Sequence, residues 1–159
     1  MSTINKSIAK EIVATAIILM FTLSCANTND KPKVTKCTKK AGDSSTGIIV
    51  YTIDNVIQKI AITNANPVNS SDPDEYINSA RETFKEYPQP DGISTTFELN
   101  KAKDKLLMLT IYDFTEMEPS LKAEIMGYNE GEMTEEQEKD ALNTRKYIKK
   151  LKEDGFSCK

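Results

Sequence analysis

The 159-residue sequence contains no histidine and no tryptophan. Without an imidazole, neither a Ser-His-Asp nor a Cys-His catalytic set can be assembled, and His-bearing metal sites are excluded as well. Glycine is sparse: Gly42, Gly47, Gly92, Gly127, Gly131 and Gly155 stand too far apart to form a phosphate-cradling loop. No apolar run reaches the roughly 20 residues that a bilayer-spanning helix requires. An excess of basic charge is also missing, since 21 Lys and Arg face 24 Asp and Glu for a net charge of -3. Nucleic acid, which selects a basic stripe, is therefore not an expected partner. No internal repeat and no low-complexity segment is present.

The longest apolar run, IVATAIILMFTL at residues 12–23, follows Lys6 and Lys10 and precedes the polar stretch ANTNDKPK. A charged start, a short apolar run and a small residue before a cut describe a secretory leader. Thr22-Leu23-Ser24-Cys25 resembles the lipobox of bacterial lipoproteins, with Thr22 where Leu is the usual residue. That resemblance implies cleavage after Ser24 and acylation of Cys25, which makes Cys25 the membrane anchor. The expected organisation is a leader at 1–24, a lipidated Cys and flexible tether at 25–33, and one folded domain at 34–159. Removing Lys6, Lys10 and Glu11 with the leader turns 21 basic and 24 acidic residues into 19 and 23, a net of -4. The remaining length suffices for one domain with a real core.

Three cysteines are present, and Cys25 is accounted for by the anchor. Cys37 stands near the start of the domain and Cys158 is the penultimate residue. Disulfides form and persist beyond the membrane, so Cys37 and Cys158 are expected to bridge. A loop of that size is worth roughly 5 kcal/mol in the chain-entropy model. The other readings are two free thiols or metal ligands, and two lone Cys without a CxxC or a His make a poor metal site.

Strands are expected at 34–40, 47–53, 56–63, 93–100 and 106–114, where β-branched and aromatic residues concentrate or alternate with polar ones. Asp54-Asn55 tolerate positive φ and predict a two-residue hairpin turn. The segment 106–114 (LLMLTIYDF) is apolar on both faces, as in a central strand. Asp72-Pro73-Asp74-Glu75 opens a helix over 72–87, whose Tyr76, Ile77, Ala80, Phe84 and Tyr87 form one stripe. That stripe predicts a core-facing side. A short helix follows at 119–126, and Thr134-Glu135-Glu136-Gln137 caps a longer one over 134–154, acidic first and basic last. The sum is an α+β domain: a single antiparallel β-sheet of four to five strands with two main helices packed on one face.

The order of these parts runs from the lipobox through KCTKK, GIIVYTIDNVIQKIAI, YINSARETFKEY, GISTTFEL and KLLMLTIYDF to the closing YIKKLKEDGFSCK. In this layout the chain resembles the YehR-like small bacterial lipoproteins, a domain family of unknown function, over about residues 33 to 159. The resemblance implies an α+β fold and a surface-facing lipoprotein. It brings no active site.

Chemistry is left to carboxylates. Asp113, Glu116 and Glu118 cluster at the end of the central strand, where a pair could serve as acid and base in glycan hydrolysis. A solvated strand end accounts for them better. Asn129, Glu130, Glu132, Glu135 and Glu136 offer oxygen ligands for calcium without the spacing of an EF-hand loop, and helix N-terminal charge accounts for them better. Arg145, Lys146, Lys149, Lys150 and Lys152 could lean on anionic lipid, but basic residues spaced round a helix end are more often a solvated face that favours the dipole. Tyr51, Tyr112 and Tyr128 could line a pocket or sit half-buried in a sheet. The expectation is a non-enzymatic, lipid-anchored domain on the extracytoplasmic face of the cell membrane, without metal or cofactor. Its partners are the membrane through the lipid and an envelope protein, polymer or small ligand. The alternative is a carboxylate-dependent envelope glycan hydrolase.

Overall fold

A computed structural model describes residues 32–128 and 133–159. The leader, Cys25, the tether before Pro32, and Asn129, Glu130 and Glu132 lie outside the described residues. The described elements run β1 (Lys33–Ala41), β2 (Ser44–Ile53), β3 (Val56–Pro67), α1 (Pro73–Lys85), β4 (Ile93–Leu99) and β5 (Lys105–Asp113). They continue with α2 (Pro119–Ile125), α3 (Glu135–Ala141), α4 (Thr144–Glu153) and β6 (Ser157–Cys158). One sheet has the order β4-β5-β3-β2-β1-β6, and every neighbouring pair is antiparallel.

The sheet therefore has six strands, not the four to five expected. The added strand, β6, holds two residues, too few to show any periodicity. It exists because Cys158 and Ser157 are brought against Cys37 and Thr38, with Lys36 and Lys159 exchanging backbone hydrogen bonds at 2.9 Å. The first three strands form a meander. Asp54 and Asn55 both adopt positive φ at the β2–β3 turn, 50° and 65°, the conformation that joins twisted strands tightly.

The helices also differ from expectation. Among the described residues there are four helices: the short one expected at 119–126 is α2, and the two main ones become three because the segment 134–154 breaks at Leu142-Asn143. The break has a tertiary cause. Ile57 N–H donates to the Leu142 carbonyl, and Thr144 donates to the Asn55 carbonyl through both its backbone N–H and its hydroxyl. The β2–β3 turn thus inserts its backbone between the two helices. Asn143 then caps α4 by accepting from Lys146 N–H at 3.1 Å. At the start of α3, Thr134 and Gln137 form the reciprocal capping box their spacing predicts. In α1, Asp72 accepts from Glu75 N–H at 3.0 Å.

The strand register sorts side chains onto two faces. On the first, Ile93, Tyr112, Ile60 and Val50 stand side by side across β4, β5, β3 and β2. Ile62, Ile48, Cys37 and Cys158 form the adjacent row across β3, β2, β1 and β6. This face is the core. Val50, Ile57 and Cys37 are essentially inaccessible, and Phe114, Met117, Leu142 and Leu151 join them in one cluster. Leu121 and Ile125 of α2 and Tyr147 and Ile148 of α4 pack against that cluster. Each fully buried aliphatic side chain contributes roughly 1.5–3 kcal/mol.

α1 covers the other end of the same face, with Arg81 donating to the Phe97 carbonyl and the Phe84 and Phe97 rings meeting edge to face at 4.8 Å. Its stripe is less buried than its spacing predicts. Ile77 is buried, but Tyr76, Phe84 and Tyr87 are 47%, 38% and 67% exposed. α1 lies beside β4, the last strand of the sheet, so half of the stripe has no sheet beneath it.

Candidate functional site

The second face of the sheet is built from the alternate residues of the same strands. Ile49 faces Ala61, and Ala61 faces Ile111. Thr63 faces Leu109, and Ala65 faces Leu107. These side chains are buried or half-buried, and none of Ile49, Ala61, Ala65, Leu107, Leu109 or Ile111 belongs to the core cluster on the first face. Around them the register places Lys36 and Lys40 of β1, Lys59 of β3 and Lys105 of β5, with Ser94, Thr96 and Glu98 along β4. An antiparallel sheet with one wet face normally alternates apolar and polar residues. Here β5 departs from that rule, and the sequence signal is its run of LLMLTIY.

At the end of this face, Asp113 meets Lys59 at 2.6 Å. Thr115 donates to the same carboxylate through its hydroxyl at 2.6 Å and its backbone N–H at 3.2 Å. Burial pushes the Asp113 pKa up, but the hydrogen bonds from Lys59 and Thr115 and the Lys59 charge outweigh it. The net result is a carboxylate held below its usual range. The strand end is fixed further by Asp113 N–H donating to the Gly92 carbonyl at 2.6 Å. Gly92 has φ +80°, and a Cβ there would lie 2.7 Å from the Asp113 carbonyl oxygen, so only glycine fits without a shift.

The acidic cluster expected at this point does not act as one unit. Asp113 is buried and committed to Lys59 and Thr115, whereas Glu116 and Glu118 are exposed in the connection to α2. Glu118 is the N-cap residue of α2 without a side-chain capping bond. Among the described residues, no group of three or more acidic or cysteine side chains is placed to hold a metal ion. In the proposed calcium set, Glu135 pairs with Lys139, and the remaining members before Thr134 lie outside the described residues.

Two depressions lie on the helical side. One, about 230 Å³, is lined by Val56, Gln58, Phe114, Thr115 and Leu142, with the Lys122–Glu138 ion pair at 2.5 Å on its wall. It falls below the roughly 300 Å³ at which small-molecule sites begin. The other, about 600 Å³, runs along α4 beside Arg145, Ile148, Lys149 and Lys152. Within the basic run, Lys146 pairs with Asp140, and Lys149 lies 3.8 Å from Glu153. Tyr112 packs against the core cluster, while Tyr51 lies on the second face beside Lys59. Burial raises the pKa of Tyr51, partly offset by the Lys59 charge.

Cys37 and Cys158 are disulfide-bonded across 121 residues, closing the first strand onto the last. Cys37 is 1% exposed and Cys158 half-buried, so the bond packs against the edge of the core.

No protein-family model and no curated protein matches this sequence. Solved structures resemble it in shape. The NMR structure of the YehR protein of E. coli superposes with a TM-score of 0.59 at 12% identity, over 82% of this chain and 93% of that one. The fold is YehR-like. The NMR structure of a protein from Streptococcus pneumoniae TIGR4 superposes with a TM-score of 0.54 at 19% identity, over 86% of this chain and 92% of that one. At these identities the likeness concerns the fold alone.

Proposed function

We propose that the chain is a bacterial lipoprotein, acylated at Cys25, whose α+β domain works outside the plasma membrane as a non-enzymatic binding module. The observation that carries this reading is the leader itself, a charged start and a short apolar run ending in Thr22-Leu23-Ser24-Cys25. It is supported by where the fold begins, because β1 starts at Lys33, leaving only a short polar connection behind Cys25. A disulfide between the first and last strands suits an oxidising compartment. The hydrolase alternative needs one carboxyl group that stays protonated near neutral pH as the acid, beside a second that is ionised. Asp113, kept ionised by Lys59 and Thr115, does not suit the acid, and its carboxylate is already committed to those two partners.

The test is the intact mass of the protein extracted from its membrane without reductant. Residues 25–159 plus acyl chains, less two hydrogens, is the expected result. An unprocessed chain with three free thiols overturns the proposal. It would also return Cys37 and Cys158 to the roster of reactive groups.

A further inference from the structure

We propose that the second face of the sheet docks on an anionic phospholipid surface, holding the domain flat against the membrane that anchors it. The inference rests on the lipid-anchor reading above and adds the orientation of the domain. The apolar centre of Ile49, Ala61, Leu107, Leu109 and Ile111 lies opposite the helices. Lys36, Lys40, Lys59 and Lys105 surround it. Asp113, tied to Lys59, and Glu98 are the acidic groups that the register places on this face among the described residues. Apolar side chains inside a cationic rim match an interface whose headgroups are anionic and whose interior is hydrocarbon.

The rim also selects among occupants. A second copy of the chain stacked face to face would set Lys against Lys, a like-charge contact that is unfavourable. A neutral apolar partner would leave the lysines without countercharge. Chain length favours the bilayer. Cys25 precedes Lys33 by eight residues, a length of chain that reaches no more than about 30 Å even fully extended. The strand entered from it, β1, carries Val34, 45% exposed, together with Lys36 and Lys40 on the second face. The first face cannot serve, because α1, α2 and α4 lie on it.

The experiment uses the full chain in cells that produce it. A photoreactive benzophenone side chain replaces Thr38 or Thr96, both exposed on the second face, or Glu82 of α1 or Arg145 of α4 as controls. After irradiation, lipid adducts are counted by mass spectrometry. Adducts at Thr38 and Thr96 should exceed those at the controls, and Lys36→Glu with Lys40→Glu should reduce them about tenfold or more. These two lysines are exposed, so the double variant is expected to fold, and an intact disulfide by mass verifies that it has. Equal adducts at all four positions, a maximum at Arg145, or crosslinks to protein instead of lipid each overturn the inference while leaving the anchor intact. A chain recovered from the soluble fraction with unmodified Cys25 overturns the anchor reading, and this inference with it.

Discussion

The two faces of this sheet are made by alternate residues of the same strands, and both are rich in Ile, Leu and Val, yet they have different surroundings. On the first face, Val50, Ile60 and Ile57 disappear beneath α2, Leu142 and α4. On the second, Leu107, Leu109 and Ile111 keep some exposure beside Thr63, Thr96 and four lysines. The comparison teaches that hydrophobicity along a strand does not report which face is core. What decides is where the connections land: the β3–β4 crossover through α1 and the C-terminal helices fall on the same side. The second face is left with apolar character and no described helix of its own.

Three measurements break or sharpen that contrast. The largest effect is expected at the point where the first face is covalently closed. Replacing Cys37 and Cys158 together by Ser should lower stability by about 2–5 kcal/mol in denaturant unfolding. The amides of Lys36 and Lys159 should then exchange faster, because a two-residue strand without its bond has little else to hold it. Unchanged protection at both amides would show that β6 is held by its pairing alone.

Next comes a matched pair of truncations. Ile57→Ala, at a side chain 1% exposed, should cost about 2–4 kcal/mol. Leu109→Thr on the second face should cost less than about 1 kcal/mol, in the range of ordinary surface substitutions. Equal losses at the two positions would mean that the faces are equivalent, and the distinction between core and docking surface would fail.

The smallest effect belongs to the node where the second face ends. Asp113→Asn should cost about 1–2 kcal/mol at neutral pH, a modest figure because Lys59 is partly exposed and solvent screens the pair. The Asp113 pKa is lowered in the folded state. Its contribution is therefore fully present above the unfolded carboxylate value of about 3.9 and is lost as pH falls through the lower folded value. The difference between the two proteins in urea unfolding should shrink between pH 5 and strongly acidic solution. A difference that stays constant over that range would assign the loss to packing rather than to charge.

Much of the fold was legible from local patterns. The hairpin turn at Asp54-Asn55, the caps at Asp72 and Thr134, and five of the six strands follow from residue types acting within a few positions of one another. The misses share one cause. β6 forms only because Cys37 and Lys36 are opposite it, and the break between α3 and α4 exists because Asn55 and Ile57, far away in sequence, bond to Thr144 and Leu142. The aromatic stripe of α1 was readable as a stripe, but its partial exposure depends on β4 being an edge strand. Of the candidate sites, the carboxylate group looked like a cluster because Asp113, Glu116 and Glu118 are close in sequence. Lys59, which claims Asp113, is not.

By itself, then, the sequence determined the leader pattern, the elements whose signals are local, and the exclusion of imidazole chemistry, because each depends on composition or short spacing. The tertiary structure alone decided that four lysines and five apolar residues from four strands share one face, that Asp113 is paired with Lys59, and that the last two strand residues close the sheet. The reason is physical: register and crossover side are set by contacts between residues tens of positions apart, and strand periodicity carries no information about either.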